Sequence, residues 1–205
     1  MRFMIGMPIG KINITASLQT TLDYVKRNNI VFEMRNSNRV DLNRSILMDY
    51  AIEKNFDLIM LDSDGVINTK WSDILNILAE DFKDKTIGMV LAPVIGATGM
   101  LLTQPPKSPF DEKWLVDAGS LTFCAIPLEI MKKIPIMNPY NAISSNKPTN
   151  MRIVYPTNTS EDIFLCQKIK ELGYNILVDS RIKIAHLQSV FLAYDDYKDK
   201  GIKHL

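Results

Sequence analysis

Cysteine and histidine are scarce in this chain, two of each among 205 residues, and neither type forms a spacing motif. That argues against a zinc centre built on paired cysteines. Cys124 and Cys166 each lie in an apolar, periodic segment, so they read as buried thiols rather than a disulfide, in keeping with a reducing cytoplasm. Neither sign of charge dominates: 24 Lys and Arg face 23 Asp and Glu, for a net charge of +1. A protein that grips nucleic acid by bulk electrostatics is not expected from that balance. No apolar run is long enough to span a bilayer, and no signal peptide is expected, because Met1-Arg2-Phe3-Met4-Ile5 reads directly as a strand. Internal repeats, low-complexity tracts and composition breaks are also lacking, so a single domain is expected.

What is present is alternation. "RFMIGMPI" reads as a strand, and Thr15–Arg27 carries Leu18, Leu22 and Val25 at helical spacing. "IVFEM" is a second strand, and Asp41–Lys54 a helix with Leu42, Ile46, Leu47 and Ala51 on one face. "LIML" is a third strand, Ser72 is placed to cap the following helix, and "TIGMVLAPV" is a fourth strand. This β-α-β-α-β-α-β order predicts a doubly wound, mostly parallel α/β sheet flanked by helices. The second half is less regular. Gly99–Lys113 reads as a loop or lid, "SLTFCAIPLEIMKKI" as a strand and short helix, and Pro135–Ser160 as a surface excursion. Order returns with a helix over Ser160–Leu172, stopped by Gly173, then short strands in "NILVD" and "IKIAHL", and a charged tail from Gln188 that reads as a flap.

Chemistry concentrates in three places. "LIMLDSDGVI" ends an apolar strand with Asp62-Ser63-Asp64-Gly65, the single D-x-D of the chain. Two carboxylates one residue apart repel unless a cation lies beside them, and hard divalent ions prefer oxygen ligands. A lone D-x-D is a weak motif, and acids often only cap helices, but this pair comes too early to cap the helix near Ser72. "SEDIFLCQKIKELGYNILVD" opens a helix with Glu161 and Asp162. First-turn acids favour the helix dipole, which is reason enough for them; the functional reading makes Asp162 a general base aimed into a cleft. His186 in "KIAHL" is either a core histidine or a metal ligand, whereas His204 reads as solvated.

In their order and spacing, "GMPIGKINITASLQTTL", "RNSNRVDLNRSILMDYAIEKNFDLIMLDSD", "VDAGSLTFCAIPLEIMKKIP" and "SEDIFLCQKIKELGYNILVDSRIKIAHL" resemble the GT-A glycosyltransferases, the nucleotide-diphospho-sugar transferases. The likeness spans most of residues 1–187 and is strongest to the small members encoded by phages and archaeal viruses. It implies a GT-A fold with a nucleotide-sugar-binding half (1–98), an acceptor and catalytic half (99–187) and a C-terminal tail (188–205), working in the cytoplasm, a host's if the source is viral. It further implies that Met7, Pro8 and Ile9 contact base and ribose, that Asp41 and Arg44 support the nucleotide, and that Asp62 and Ser63 lie against the donor. By the same likeness Asp64, with Asp62 and His186, holds a metal, Gly119 lies by the transferred sugar, and Asp162, paired with Glu161, stands near the acceptor. Where such proteins often carry Ala-Arg-Asn, this chain has Leu42-Asn43-Arg44-Ser45.

The expected activity is thus metal-dependent transfer of a sugar from a UDP- or GDP-sugar to a hydroxyl of a glycan, protein or small molecule. A bound Mn²⁺ or Mg²⁺ would neutralise the diphosphate that leaves. An Asp/Asp/His set leans to Mn²⁺, because imidazole is an unusual partner for Mg²⁺. Two other classes share features with the chain. A haloacid-dehalogenase-like phosphatase would use Asp62 as nucleophile and Asp64 as acid, but its D-x-D-G normally opens the domain, and here two βα units precede it. A nucleotidyltransferase wants a Gly-rich basic loop after the first strand, which "MPIGKIN" is not. A non-catalytic nucleotide-sugar-binding module on the same fold is the third reading.

Overall fold

The apolar runs become the middle layer of a three-layer α/β/α arrangement. The computed structural model of the chain describes residues 1–9, 16–36, 39–95, 102–104, 112–141, 148–153, 159–186 and 192–193. Its first half runs β1 (Phe3–Ile9), α1 (Ala16–Asn28), β2 (Phe32–Asn36), α2 (Val40–Lys54), β3 (Asp57–Leu61), β4 (Gly65–Ile67), α3 (Trp71–Asp81) and β5 (Ile87–Leu91). The second half runs β6 (Thr103–Gln104), β7 (Lys113–Val116), β8 (Ala118–Gly119), β9 (Phe123–Ile126), α4 (Leu128–Lys133), β10 (Asn138–Asn141) and β11 (Pro148–Met151). It ends with α5 (Glu161–Glu171), β12 (Asn175–Asp179), β13 (Ile184–His186) and β14 (Leu192–Ala193).

Seven strands form the main sheet in the order β2-β1-β3-β9-β5-β12-β7. β1 pairs in parallel with β2 and β3, and β5 with β12, while β9 and β7 run antiparallel to their neighbours. Five of the seven therefore share one direction. The expected parallel, doubly wound sheet is present with one difference: β9, from the second half, is inserted between β3 and β5 and bonds both. An antiparallel insertion leaves no trace in apolar periodicity, because a strand buried on both faces reads the same in either direction.

Side chains alternate across the sheet with the period of two that a pleat requires. Leu58 and Met60 of β3, with Cys124 and Ile126 of β9, pack on the face covered by α2, α4 and α5. Ile59 and Leu61, with Phe123 and Ala125, pack on the face covered by α1 and α3, where Trp71, Ile74 and Leu78 project from α3. Both cysteines are buried free thiols, as their apolar settings imply. Burial lifts both above the ordinary thiol range, Cys166 to about 12, so neither is a reactive thiolate.

Three local expectations change. α3 starts at Trp71 after Lys70, and Ser72 lies inside the first turn with its hydroxyl on Asp73, so it does not cap. "LIMLDSDGVI" is two strands, because the chain turns at Asp62 and β4 joins a separate sheet with β13 and β14. Between Pro135 and Ser160 the described residues include a hairpin of β10 on β11. The Gly99–Lys113 lid lies outside the described residues apart from 102–104, 112 and 113, as does the tail from Gln188 with His204, apart from 192–193. Among the described residues no helix is long and apolar enough to cross a membrane.

A compact charge cluster ties the far edge of the sheet. Lys113 of β7 reaches Glu80 and Asp81 of α3 at 2.7 Å each. Arg181, after β12, bonds Asp179 at 2.7 Å and Glu80 at 2.9 Å, with Glu112 at 3.3 Å. The buried Asp81 and Asp179 carboxyls lie against each other. Burial pushes Asp81 up to about 6, Lys113 opposing and the Asp179 charge adding to the rise. The folded chain therefore binds this proton more tightly than the unfolded chain. Its stabilising effect is full below the ordinary carboxyl pKa near 3.8 and is lost as pH rises through about 6. Exposed Glu80 works the other way, since its hydrogen bonds to Arg181 and Lys113 hold it down to about 2. The melting temperature is expected to rise by a few degrees, on the order of 1 kcal/mol, between pH 7.5 and 5.5. Asp81→Asn should flatten that slope in a thermal melt followed by circular dichroism.

Candidate functional site

β1 and β3 end side by side, and the N-termini of α2 and α5 open at that same edge, each leading back to the strands it packs on. Helix N-termini carry unpaired N–H groups and positive dipole ends, so this edge favours anions. α2 reads as an amphipathic surface helix, but Asp41, Leu42, Asn43, Arg44 and Ser45 are all buried. Its polar first turns are enclosed by the sheet edge on one side and the second half of the chain on the other. The side-chain amide of Asn43 donates to the Ile9 carbonyl at 3.3 Å, tying α2 to the end of β1. Ser45 exchanges hydrogen bonds with the Ile153 backbone, accepting from its N–H at 3.0 Å and donating to its carbonyl at 3.2 Å. Asp41 pairs with Arg39 at the helix start.

Arg44, only 2% exposed, collects three acids. Its Nη2 donates to both oxygens of Asp62, at 2.9 and 3.0 Å. Its Nη1 donates to Glu161 at 2.9 Å and to Asp162 at 2.6 Å. The other oxygen of Asp162 accepts from the Leu121 N–H at 3.3 Å. The Arg44 Nε is buried with no partner among the described residues. Burial works against this guanidinium's charge, but Asp62 and then Asp162 and Glu161 outweigh it and raise its pKa. Burial raises Asp62, against the pull of Arg44. Glu161 is raised by burial and by the Asp162 charge, again against Arg44. With three carboxylates on one cation the pocket carries excess negative charge.

Around this hub the remaining residues fall as follows. Pro8 and Ile9 are the last two residues of β1. Asp62-Ser63-Asp64-Gly65 is a tight turn closed by the Gly65 N–H on the Asp62 carbonyl at 2.9 Å, and the Asp62 N–H bonds the Thr122 carbonyl at 2.9 Å. The turn is tightly packed, since a Cβ at Gly65 would lie 3.0 Å from Leu61 and 3.1 Å from Thr122, whose side chains would have to give way. β4 leaves this turn antiparallel to β13, in a register that sets His186 opposite Gly65, next to Asp64. Gly119 lies in β8 opposite Thr103, where a Cβ would come within 2.7 Å of Leu91. Ser160 caps α5 by accepting from the Ile163 N–H, which presents Glu161 and Asp162 at the helix mouth.

The hub thus joins Arg44, Asp62, Glu161 and Asp162, with Ser63, Asp64 and the backbone of His186 adjoining. Asp41 stands on the same helix but turns to Arg39. Among the described residues no three His, Cys, Asp or Glu side chains form a ready metal cage. The register sets the backbone of His186 opposite Gly65, one residue along the chain from Asp64. The Leu121 N–H and the Asn43 and Ser45 contacts had no motif to announce them. The polar residues of the first turns of α2, Asp41 and Asn43 to Ser45, were the available signal.

Removing Arg44 would leave three partly buried acids without their counter-charge. Arg44→Met is expected to cost ~3–5 kcal/mol in urea unfolding at pH 7. Because burial already raises Asp62 and Glu161 above their ordinary values, the deficit should shrink as the pH is lowered into the acid range. A deficit that does not change with pH would contradict this assignment of charge.

No protein-family model matches the chain, and no curated protein sequence does. Among solved structures, A197 from STIV matches with a TM-score of 0.67 at 19% identity, covering 95% of this chain and 91% of that one. GalNAc-T7, solved with UDP, GalNAc and Mn²⁺, matches with a TM-score of 0.54 at 15% identity over 91% of this chain and 44% of that one. With the sheet order and helix placement above, these likenesses make the fold GT-A-like, a mostly parallel sheet flanked by helices with its polar edge at the ends of β1 and β3.

Proposed function

We propose that the chain is a glycosyltransferase that moves a sugar from a nucleotide-diphosphate donor to an acceptor hydroxyl. The observation that carries this reading is the meeting, at one sheet edge, of the Asp62–Gly65 turn with the acid pair of α5 across a single buried arginine. A donor site and a proton acceptor are thereby neighbours. Pro8 and Ile9 at the end of β1, with Asp41 on α2, would line the base and ribose. Gly119, in β8 beside β6, would lie by the sugar. The GalNAc-T7 likeness, a protein solved with UDP and Mn²⁺, supports the class of donor.

Asp64 and His186 would hold a divalent ion, Mn²⁺ before Mg²⁺, with oxygens of the donor diphosphate completing its shell. Once bound, that ion would offset the charge left on the diphosphate as the sugar–oxygen bond breaks. In the step itself the acceptor oxygen bonds to the anomeric carbon, the bond to the diphosphate oxygen breaks, and the acceptor proton passes to a carboxylate. Asp162 is the candidate base, steadied by Arg44 and the Leu121 N–H, with Glu161 beside it. That role suits inversion at the anomeric carbon. The phosphatase alternative needs an Asp62 oxygen free to attack phosphorus, but Arg44 engages both.

Thermal shifts with UDP and GDP, each with and without Mn²⁺, test the proposal. At a hundred times its dissociation constant the correct nucleotide should add about 2.7 kcal/mol of stability. That gain should require Mn²⁺ and disappear in Asp64→Asn. Asp162→Asn should keep the gain and lower transfer by about 10²–10⁴-fold. A response to Mg²⁺ plus a phosphate analogue, with none to any nucleotide, would reject the proposal.

A further inference from the structure

We infer that Arg44 is a positioning residue that locks the donor-side turn to the acceptor-side acid, and that it is not itself a ligand of the nucleotide. The inference rests on the glycosyltransferase reading above and concerns how that site is built. Arginine at such an edge is ordinarily expected to grip a phosphate, since its planar fork matches that group. Here the fork is already full. Nη1 is shared by Glu161 and Asp162, and Nη2 lies against both oxygens of Asp62. The remaining donor, Nε, is buried and points at no partner among the described residues.

The three acids come from distant parts of the chain. Asp62 is 18 residues from Arg44, Glu161 is 117 and Asp162 is 118. Asp62 begins the turn that ends β3, and Glu161 and Asp162 begin α5. Two further contacts fix the arginine's own helix: Asn43 on the Ile9 carbonyl and Ser45 on the Ile153 backbone. Three consecutive residues of α2 therefore fasten to β1, to the acids and to the second half of the chain. With Asp162 held by Arg44 on one oxygen and by the Leu121 N–H on the other, its carboxyl plane is set by protein groups before any acceptor arrives. A lysine in place of Arg44 would keep the charge but offers one nitrogen in place of a fork, so it cannot hold Asp62 and Asp162 in one fixed relation. Misplacement of a reacting group by about 1 Å can lower turnover by about 10²-fold.

The test is Arg44→Lys, with UDP and GDP binding measured by calorimetry in the presence of Mn²⁺, and kcat and KM measured for nucleotide release from the matching UDP- or GDP-sugar. The expected result is a nucleotide Kd and donor KM within about threefold of wild type with kcat lowered by about 10²-fold, the pattern of a misplaced group. A Kd raised tenfold or more would overturn the inference and make Arg44 a nucleotide ligand, and an unchanged kcat would overturn it as well. A wild-type protein that binds neither nucleotide would sink the transferase reading itself, a result visible before any variant is compared. Should Arg44→Lys alone not fold, pairing it with Glu161→Gln removes one carboxylate from the buried load. The same quantities are then read against Glu161→Gln alone.

Discussion

One buried guanidinium surrounded by three carboxylates is the constraint on which this site depends. A buried charge is tolerated only when it is paired and hydrogen-bonded, and Arg44 meets that condition through Asp62, Glu161 and Asp162 together. The partners need Arg44 in turn, because each is a partly buried acid that would otherwise lose its counter-charge. The arrangement stabilises little relative to a well-packed apolar core, but it is specific: few relative placements of β3, α2 and α5 satisfy all of these bonds at once. The negative charge left over is what a cation-dependent diphosphate site would use.

The fold supplies that edge through ordinary packing. Two apolar layers, one under α2, α4 and α5 and one under α1 and α3, hold the sheet rigid and leave strand ends and helix mouths to carry the polar groups. A second charge cluster, at Glu80, Asp81, Lys113, Asp179 and Arg181, solves a different problem with similar parts. There two cations serve the acids, and the cluster fastens β7 and α3 to the end of β12 and the turn that leads into β13. Since the turn at Arg181 leads into β13, the edge cluster also helps hold the β13 register on β4, which sets His186 opposite Gly65.

Much of this was legible in the sequence. Apolar runs of strand length, helical spacing between them, and Ser160 ahead of Glu161-Asp162 are local signals, and each led to the element found. The D-x-D was legible as the end of a strand because the run before it is continuously apolar. The error at Ser72 was also local: a residue of capping type stood two positions past the true N-cap, Lys70, inside the first turn that buries Trp71. His186 was legible as a candidate but not as a neighbour of Asp64, because strand register is a long-range property.

The sequence by itself determined the class of fold, the alternation of strands and helices, the two buried thiols and the short list of acids. Those follow from periodicity and residue type, which act over a few positions. Only the tertiary structure decided that β9 enters the sheet antiparallel between β3 and β5, that α2 buries a polar face, and that Arg44 spends its fork on Asp62, Glu161 and Asp162. Those outcomes depend on contacts between residues 18 to 118 positions apart. The free energy of such contacts is realised only when the whole chain has closed around them, so no local pattern could have recorded them.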